Sequence, residues 1–590
     1  MKIYQEKTQH YLEVYSKTSK RYNSISLLRI LSIFIFLFFS FYYIKTSEIA
    51  YAASALISFA GFIFLMKIHS KISFKRLFAS TLVKINENEL SFLKREKTFF
   101  ENGAEFVDFH HPYAYDLDIF GEHSLFQSLN RTATFSGKKT LAEQLLKILP
   151  EKAILENQNA VNELKEKLDW RQEFLALAII SDDSKQSFEA ITNWISYKNN
   201  SLSKATLLLS IAFPVLFFGM LLTYFITLNN ILLSSITYVF IGNLIILGTA
   251  LKKIQSEIAK ADNIDKIIKH YGLLIEKIEN ETFKSQKLIN LQKRLVDQKT
   301  KASQHLKQLS ELFSRMDTIN NFVTAILFNG TFLFNLHVLK ALLKWKEKHA
   351  SQLLDWIAVI GEVEMLNSLA NLAHNNDDFI FPEINSEYKI EFEGLSHPLL
   401  NPKTRIGNDA SFHPQRFVIL TGSNMSGKST FLRSLGINMI LGGIGSVICA
   451  SRANIHPLQV LVSMRLSDSL SDSESYFFAE IKRLKQIMNA LDEEPAFVLL
   501  DEILRGTNSD DKRNGTIEVV KKIISKNAVG AIATHDIEVC LTTDEYPLKL
   551  KNQCFEVEIQ NNELHFDYKL RDGICKNKSA TFLMQKMGVI

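Results

Sequence analysis

The sequence has few cysteines, and they are not arranged for metal binding. Four occur in 590 residues, all in the C-terminal third, at positions 449, 540, 554 and 575. The short paired spacing of zinc sites is absent, and so is the high cysteine density of a disulfide-stapled domain. The pattern indicates reduced thiols in a folded domain of cytosolic type.

The chain also lacks an excess of charge of either sign. Lys and Arg total 68 and Asp and Glu total 63, which gives a formal net charge of +5. A strongly basic chain would indicate an electrostatic attraction to nucleic acid. Here the overall charge neither indicates nor excludes such a partner, and the length is enough for several domains.

A phosphate-binding motif is present near the start of the C-terminal third. Residues 422–430 fit the pattern G-x-x-x-x-G-K-[ST]. A buried strand is predicted before it (Arg416 to Thr421) and a helix after it (Phe431 to Leu441), so backbone N–H groups of the turn would point at a phosphate. A chance glycine-rich turn is the alternative. The residues expected to contact ATP are Gly422, Ser423, Asn424, Met425, Ser426, Gly427, Lys428, Ser429 and Thr430.

Two further strands are predicted to end in residues that suit phosphate chemistry. The apolar run Ala496 to Leu500 ends in Asp501 and Glu502, and the run Val529 to Ala533 is followed by His535. An ordinary acidic pair and a structural histidine are the alternatives. We expect Asp501 and the Ser429 hydroxyl to ligate Mg²⁺ and Lys428 to reach the β- and γ-phosphates. Glu502 would activate water and His535 would sense the γ-phosphate, which makes Lys428, Glu502 and His535 the predicted catalytic set.

Charge is almost missing from four long hydrophobic stretches. They are Ile25 to Ile44, Ile49 to Met66, Ala205 to Leu228 and Ile231 to Leu251. Each has about 18–24 residues, close to the roughly 20 that cross a bilayer as a helix. Short polar turns join them in pairs, which predicts two transmembrane hairpins; buried core helices are the alternative. The first stretch is too long for a cleavable signal peptide and lacks a small-residue cleavage site.

Basic residues flank the outer ends of both pairs and are scarce in the turns. They are Lys2, Lys7, Lys17, Lys20, Arg21, Lys67, Lys71, Lys75, Arg76, Lys204, Lys252 and Lys253. Positive charge next to a span marks the cytoplasmic side. We therefore predict a multi-pass protein of the inner (cytoplasmic) membrane whose nucleotide-binding region lies in the cytoplasm, where ATP is available.

A fifth apolar stretch, Phe322 to Leu343, contains Asn329, Gly330, Asn335, His337 and Lys340. An odd number of spans would place the phosphate-binding motif outside the cell. The sequence therefore predicts a buried helix of the soluble part over this stretch.

The segments between these features are predicted to be helical. A helix is expected from Lys138 to Ile148, and residues 254–320 show apolar residues at three- and four-residue spacing. That spacing predicts an extended amphipathic helix or a helical hairpin. A solvated lever arm is favoured over a DNA-contacting surface, because acidic residues alternate with the lysines. Residues 353–373 continue a helix to a linker at 375–378, and the alternation over 555–570 predicts a hairpin at a sheet edge.

Several of these motifs together resemble the MutS family of DNA mismatch repair ATPases. The Asn424-Met425 pair inside the loop is typical of that family. Other segments similar to family motifs are Leu395 to Leu399, Ser475 to Glu480, Leu499 to Thr507, Ala533 to His535, the closing residues Gly573, Ala580 and Gly588, and, in the helical part, Ser128 to Gly137 and Ile360 to Ala373. The resemblance implies an ABC-type ATPase that works as a dimer, with Ser475 reaching the nucleotide held by the partner chain.

The sequence also departs from the family pattern in several places. The segment between residue 77 and the helical core is too short for the separate mismatch-reading domain that carries the family's Phe-x-Glu wedge. The predicted hairpin at 204–253 interrupts the lever region, position 423 is Ser where family members often have Pro, and the chain stops at Ile590 without an oligomerisation tail or nuclease domain. We therefore do not expect mismatch recognition.

The expected architecture is an α/β P-loop (ABC-type) ATPase domain, an all-α core and lever region, and four transmembrane helices in two hairpins. The predicted parts are a cytoplasmic tail (1–23), hairpin 1 (24–67), the first part of the core (77–203), hairpin 2 (204–253), the second part with the lever (254–384), and the ATPase domain (385–590).

The expected function is that of a membrane-anchored, MutS-like ATPase that uses ATP and Mg²⁺, forms a homodimer through its ATPase domains and binds DNA. The alternative is a membrane-tethered scaffold or remodelling ATPase with no nucleic-acid role. A transporter is least favoured, because the four stretches offer almost no charged residues for a substrate path.

Overall fold

The computed structural model describes residues 1–96, 98–197, 202–260, 264–297, 300–465, 476–560, 563–575 and 584. Most of these residues are helical. The strands, which are concentrated in the C-terminal third, form one six-stranded sheet, one four-stranded sheet and two small two-stranded sheets.

Two long helices begin the chain. Helix α1 (Lys2–Thr46) and helix α2 (Ile49–Leu93) have 45 residues each and are joined at Ser47, which adopts a left-handed conformation with φ 60°. At 1.5 Å per residue each helix is roughly 68 Å long, about twice the ~30 Å hydrocarbon thickness of a bilayer. Residues 1–23, predicted as a tail, are therefore part of the same continuous helix as the first hydrophobic stretch.

A helical body follows, interrupted by a second pair of long helices. The first set comprises α3 (Leu125–Leu129), α4 (Phe135–Leu145), α5 (Glu151–Lys165), α6 (Leu168–Ser181), α7 (Lys185–Ser196), α8 (Lys204–Thr227) and α9 (Asn230–Lys260). The second comprises α10 (Ile264–Glu279), α11 (Gln286–Arg294), the paired strands β1 (Val296–Asp297) and β2 (Thr300–Lys301), α12 (Ala302–Met316), α13 (Phe322–Phe332) and α14 (Phe334–Asn375). Side chains of Ser124, Thr134, Ser184 and Ser203 cap helix N-termini, where backbone N–H groups need acceptors.

The C-terminal third alternates strands and helices. Its elements are β3 (Glu383–Ile384), β4 (Glu391–Leu395), β5 (Asn408–Ser411), β6 (Phe417–Gly422), α15 (Lys428–Gly443), β7 (Arg452–Ile455), β8 (Gln459–Ser463), α16 (Tyr476–Glu493), β9 (Ala496–Asp501), α17 (Ser509–Ser525), β10 (Val529–Ala533), α18 (Ile537–Glu545), β11 (Leu550–Phe555), β12 (Glu558–Gln560), β13 (Glu563–His565) and β14 (Leu570–Asp572). The large sheet has the order β14-β11-β6-β10-β9-β8, and the small mixed sheet has the order β3-β7-β4-β5. The predicted edge hairpin is split: β14 pairs antiparallel with β11, whereas β12 and β13 pair only with each other.

Four helices, α1, α2, α8 and α9, are long and apolar enough to cross a membrane by length and composition. Their most apolar windows are only 0, 6, 11 and 28% buried. This low burial favours candidate spans over buried core helices, although Ile246, Leu247 and Ala250 of α9 are buried in the main hydrophobic core. The pair α13 and α14 would add a fifth candidate if the two helices counted as one bent span.

For residues 254–320 the sequence left an extended amphipathic helix and a helical hairpin open, and the favoured solvated arm is wrong. The described part of the segment contains the end of α9 and the helices α10, α11 and α12, of which α10 and α12 pack antiparallel as in a hairpin. The apolar stripe of α10 is buried throughout, and the helix packs against α6, α12 and α14. The spacing correctly located an amphipathic face, but that face belongs to the main hydrophobic core.

The prediction of one buried helix over 322–343 is also wrong. The chain breaks at Leu333, whose φ is 51°, and α13 and α14 meet at 82°. The start of α14 is buried as expected, but in α13 only Asn329 and Gly330 are buried, and Phe322 is 77% exposed. The polar residues Asn329 and Asn335 flank this break and hydrogen-bond to each other across it.

A buried polar network joins the first two helices to the end of α14. The Glu89 carboxylate of α2 pairs with the Arg131 guanidinium and accepts hydrogen bonds from Asn371 Nδ2 at 3.1 Å and Asn375 Nδ2 at 3.3 Å. The Tyr4 hydroxyl of α1 donates to Asn375 Oδ1 at 2.7 Å. Because both charges of the Glu89–Arg131 pair are only 4% exposed, each depends on the other for compensation.

Arg131 also belongs to a segment that docks on α14. Its backbone N–H donates to Ser368 Oγ at 3.1 Å, and the Ala133 N–H donates to Glu364 Oε1 at 2.8 Å. Burial raises the pKa of Glu364 to about 7. The contacts bring together the two helical segments, 128–137 and 360–373, that carry the family resemblance upstream of the C-terminal third.

We predict that Arg131→Gln destabilises the protein by about 3–5 kcal/mol, because it leaves the Glu89 carboxylate buried without its partner. The matched control is Lys185→Gln, which removes an exposed pair with Glu189 at 3.9 Å and should cost about 0.5 kcal/mol or less. Thermal unfolding of both variants in detergent measures the difference. Equal unfolding temperatures for the two variants would contradict a structural role for the network.

Candidate functional site

The register of the large sheet brings the predicted site residues to one edge. Strands β6, β10 and β9 are parallel, with Ala533 paired to Leu420 on one side and to Asp501 on the other. Their carboxyl ends therefore lie side by side. The Glu502 N–H donates to the Ala533 carbonyl at 2.9 Å, and the Thr534 N–H donates to the Leu420 carbonyl at 2.9 Å. The phosphate-binding motif, the acidic pair and His535 thus meet in space although they are distant in the chain.

The loop between β6 and α15 has the conformation that its glycines predict. Gly427, immediately before α15, has φ 107°, which is open to glycine and strained for other residues. Lys428 begins the helix, and its Nζ donates to the carbonyls of Gly422 at 2.9 Å and Ser423 at 3.1 Å. Burial lowers the pKa of Lys428, opposed by the nearby carboxylates of Glu502 and Asp501. The ammonium is therefore held at the mouth of the loop, beside the N-terminus of a helix, where an anion is favoured.

The residues predicted to hold Mg²⁺ lie in contact. Ser429 Oγ donates to Asp501 Oδ2 at 2.5 Å. The other carboxylate oxygen, Asp501 Oδ1, is buried without a hydrogen-bond partner, and so are the hydroxyls of Ser423 and Ser426 in the loop. Buried polar atoms of this kind normally have partners. A hydroxyl, a carboxylate with a free oxygen and a lysine fit a magnesium–phosphate group, which supplies ligands and charge to all of them.

Glu502 and His535 form a contact pair next to Lys428. His535 Nε2 lies 2.7 Å from Glu502 Oε1 and 3.5 Å from Lys428 Nζ. The hydrogen bond with His535, together with the charges of His535, Arg505 and Lys428, lowers the pKa of Glu502 from 4.5 to about 2. Glu502 is therefore ionised at neutral pH and can accept a proton or a hydrogen bond from water.

The backbone at the site is held in conformations that cost energy. Met425, Glu502 and Leu504 all have positive φ values, of 66, 50 and 61°. The loop after Glu502 is fixed by Glu480 of α16, which accepts hydrogen bonds from the N–H groups of Leu504 at 2.8 Å and Arg505 at 3.1 Å. Strained residues held by surrounding contacts are typical of functional sites.

A cavity of about 580 Å³ opens in front of the loop. This size suits a nucleotide-sized ligand. Its walls include residues that sequence reasoning did not assign to the site, namely His397, Thr404, Arg405, Ile406, Phe555 and Tyr568. No local pattern marks them: His397 was noted only within a family-like segment, and Tyr568 lies far downstream. Burial lowers the pKa of His397 to about 4, so the imidazole facing this cavity is neutral at physiological pH.

Some predicted residues cannot be placed. Ser475 lies outside the described residues, as do Ala580 and Gly588 of the closing segment. Gly573 is described, with φ 108° just after β14. Every other residue of the predicted site, from Gly422 to Thr430 with Asp501, Glu502 and His535, lies around the cavity or at the adjoining strand ends.

The depressed pKa of Glu502 predicts a pH-dependent contribution to stability. Ionised Glu502 stabilises the folded state above pH 4.5, and this contribution is lost as the pH falls towards 2. Because Glu502 and His535 are 25 and 39% exposed, we expect about 1 kcal/mol or less. The unfolding temperature of Glu502→Gln should therefore be lower than that of the parent above pH 4.5, and the difference should shrink as the pH falls from 4.5 towards 2.

His535→Ala tests the cause of this effect and should reproduce the same pH-dependent loss, since the hydrogen bond with His535 makes the largest contribution. A stability difference that grows as the pH falls would contradict the assignment.

The region that contains the site is similar to a known protein family. Residues 418–588 match the family described as MutS domain V. A "DNA mismatch repair protein MutS" from Methanococcoides burtonii is 33% identical over 251 residues, which cover 41% of this chain and 28% of that protein. The protein of the same name from Thermotoga maritima is 29% identical over 236 residues, 39% of this chain and 29% of that protein.

A human relative, "MutS protein homolog 4", is 29% identical over 230 residues, 37% of this chain and 24% of that protein. The chain thus spans less than a third of the length of the curated relatives it matches. The matched part contains the loop, the acidic pair and His535. Residues 418–588 are therefore similar to MutS domain V, and this similarity relates the region to the MutS family of mismatch repair ATPases.

Proposed function

We propose that the protein is a membrane-anchored ATPase of MutS type that binds and hydrolyses ATP with Mg²⁺. The observation that carries the proposal is the meeting of Lys428, Ser429, Asp501, Glu502 and His535 at one sheet edge. The MutS domain V match over the same residues supports it, and so does the cavity in front of the loop. From the strand order and the loop we infer an α/β domain of the P-loop (ABC) type.

The proposed role of each side chain at the site follows from its chemistry. Lys428 exchanges its contacts with loop carbonyls for the β- and γ-phosphate oxygens, and the loop N–H groups bind the same oxygens. Ser429 and Asp501 would hold Mg²⁺, which would supply positive charge to the phosphates. Glu502, ionised and oriented by His535, positions the attacking water and accepts its proton. His535 also lies close enough to Lys428 to respond to a γ-phosphate bound there.

The proposed site is completed by a second copy of the chain, with Ser475 as the contribution from the partner. The opening of the cavity at the carboxyl edge of the sheet leaves one side of the loop accessible for such a partner, and Met425 there is 78% exposed. Closure of two such domains on ATP would move the helical body, because α14 leads directly into the ATPase region.

The helices α1, α2, α8 and α9 would anchor the protein in the inner membrane, with the ATPase domain in the cytoplasm. Exposure of their apolar windows supports this proposal. The basic residues at their outer ends favour a cytoplasmic location for the rest of the chain.

Two substitutions in the full-length protein test the ATPase proposal. Lys428→Ala should lose ATP binding and turnover, because it removes the charge that meets the phosphates. Glu502→Gln should still bind ATP but lower the turnover by about 10²–10⁴-fold, because it removes the proton acceptor. Lys522→Ala, which changes an exposed lysine of α17, is the matched control and should behave like the parent.

Turnover is measured as phosphate release and binding with a fluorescent ATP analogue. A parent protein without activity, or a Lys428→Ala variant as active as the Lys522→Ala control, would refute the proposal.

DNA is the proposed partner of the helical body, because the matched relatives are named as DNA mismatch repair proteins. The alternative is a membrane-tethered scaffold or remodelling ATPase without a nucleic-acid role. One observation favours it: the family match covers residues 418–588 and includes neither the helical body nor the four candidate spans. Mismatch reading is not part of the proposal.

The salt dependence of DNA binding distinguishes the two proposed functions. DNA binding through phosphates should weaken by about 10³-fold or more between 50 and 200 mM salt if six or more phosphates are contacted. We expect such a dependence for the detergent-solubilised protein on duplex and branched DNA, with and without ATP, measured by fluorescence anisotropy. Lack of binding at 50 mM salt would reject DNA and leave the scaffold function.

A further inference from the structure

We propose that helix α13 (Phe322–Phe332) is a membrane-embedded but non-spanning helix that buries its apolar face in lipid acyl chains beside α8 and α9. The inference rests on the proposed membrane anchoring and adds a third contact with the bilayer. It concerns a helix that the sequence alone assigned to the soluble core.

The composition of α13 suits lipid and does not suit water. The sequence has no Asp, Glu, Lys or Arg between Asp317 and Lys340. Four large side chains of the helix are more than half exposed, namely Phe322 (77%), Val323 (62%), Leu327 (54%) and Phe332 (51%). An apolar surface of this density on a short helix marks an interaction site.

The length of α13 limits what it can do in a membrane. Its 11 residues extend about 16 Å, which is roughly half the hydrocarbon thickness of a bilayer. The helix can enter the membrane or lie at its boundary, but it cannot cross. The chain would therefore leave on the side where it entered, and the ATPase domain would stay in the same compartment as with four spans.

The angle between α13 and α14 is built into the structure. Asn329 Nδ2 donates to Asn335 Oδ1 at 2.8 Å, and the Asn335 N–H donates to Asn329 Oδ1 at 2.9 Å. Asn335 Nδ2 also donates to the Met316 carbonyl at 3.0 Å, which ties the break to the end of α12. Both asparagines are fully buried. These bonds satisfy the backbone and side-chain groups at a break that lipid could not hydrate.

The neighbours of α13 identify its surroundings. Asn243 Nδ2 of α9 donates to the Gly330 carbonyl at 2.7 Å, and the ring of Phe240 packs so closely on Gly330 that a Cβ there would lie 2.2 Å from it. Phe332 contacts Phe218 of α8, with ring centroids 4.9 Å apart. The exposed apolar face of α13 is therefore continuous with that of α8 and α9, and whatever covers those helices covers α13 as well.

Spin labels at four single-cysteine positions in proteoliposomes test the inference. Val323→Cys and Phe328→Cys probe α13. Leu222→Cys on α8, 65% exposed, reports the proposed membrane, and Phe109→Cys, 59% exposed before α3, reports water. All four carry Cys575→Ser, since Cys449, Cys540 and Cys554 are buried.

Accessibility to oxygen against a water-soluble nickel chelate separates lipid from water. We expect positions 323, 328 and 222 to be reached by oxygen at least fivefold better, relative to nickel, than position 109. Lipid exposure at position 222 with water exposure at positions 323 and 328 would overturn this inference and leave the proposed membrane anchoring intact. Low access to both reagents at 323 and 328 would mean that a second copy covers α13, which also overturns it. Water exposure at 222 would refute the membrane anchoring itself.

Discussion

The structure depends on one buried carboxylate. Glu89 joins α2 to the Arg131 segment and to Asn371 and Asn375 at the end of α14, and Tyr4 adds α1 through Asn375. A buried charge pair resists rearrangement, because separating the partners exposes each to an uncompensated desolvation cost. The two longest helices are therefore fixed to the residues that lead into the ATPase region.

The parallel register of β6, β10 and β9 likewise holds the residues of the site together. Asp501, Ala533 and Leu420 lie opposite one another in β9, β10 and β6, so chain segments separated by many residues deliver their side chains to one edge. The orphaned Asp501 Oδ1 and the pKa of about 2 at Glu502 are consequences of that crowding. The arrangement of the site therefore depends on an intact sheet, and this sheet shares one hydrophobic core with the helical body, in which Leu117 and Leu366 are buried together with Leu420 and Leu499.

The sequence predicts features that depend on neighbouring residues well, and features that depend on tertiary packing poorly. Loop 422–430 and the strands β6, β9 and β10 are found because glycine, lysine and apolar runs act within a few residues. The amphipathic stripe of α10 has the same spacing in a solvated arm as in a core, so its burial depends on α6, α12 and α14. The α13–α14 break is accompanied by hydrogen bonds between Asn329 and Asn335 that no local pattern predicts. The place of Tyr568 at the cavity depends on the return of the chain after β11.

Helix α14 joins both groups of candidate membrane helices. Near its start, His337 lies 3.0 Å from the Ser210 carbonyl of α8, and Lys346 Nζ donates to the Tyr197 carbonyl at 3.0 Å. Its last turns carry the Glu89 network of α1 and α2. A single helix of 42 residues thus contacts α8 at one end and holds α1 and α2 at the other. Both pairs of candidate membrane helices are therefore attached to the same helix of the body, and this attachment would serve their proposed role as anchors.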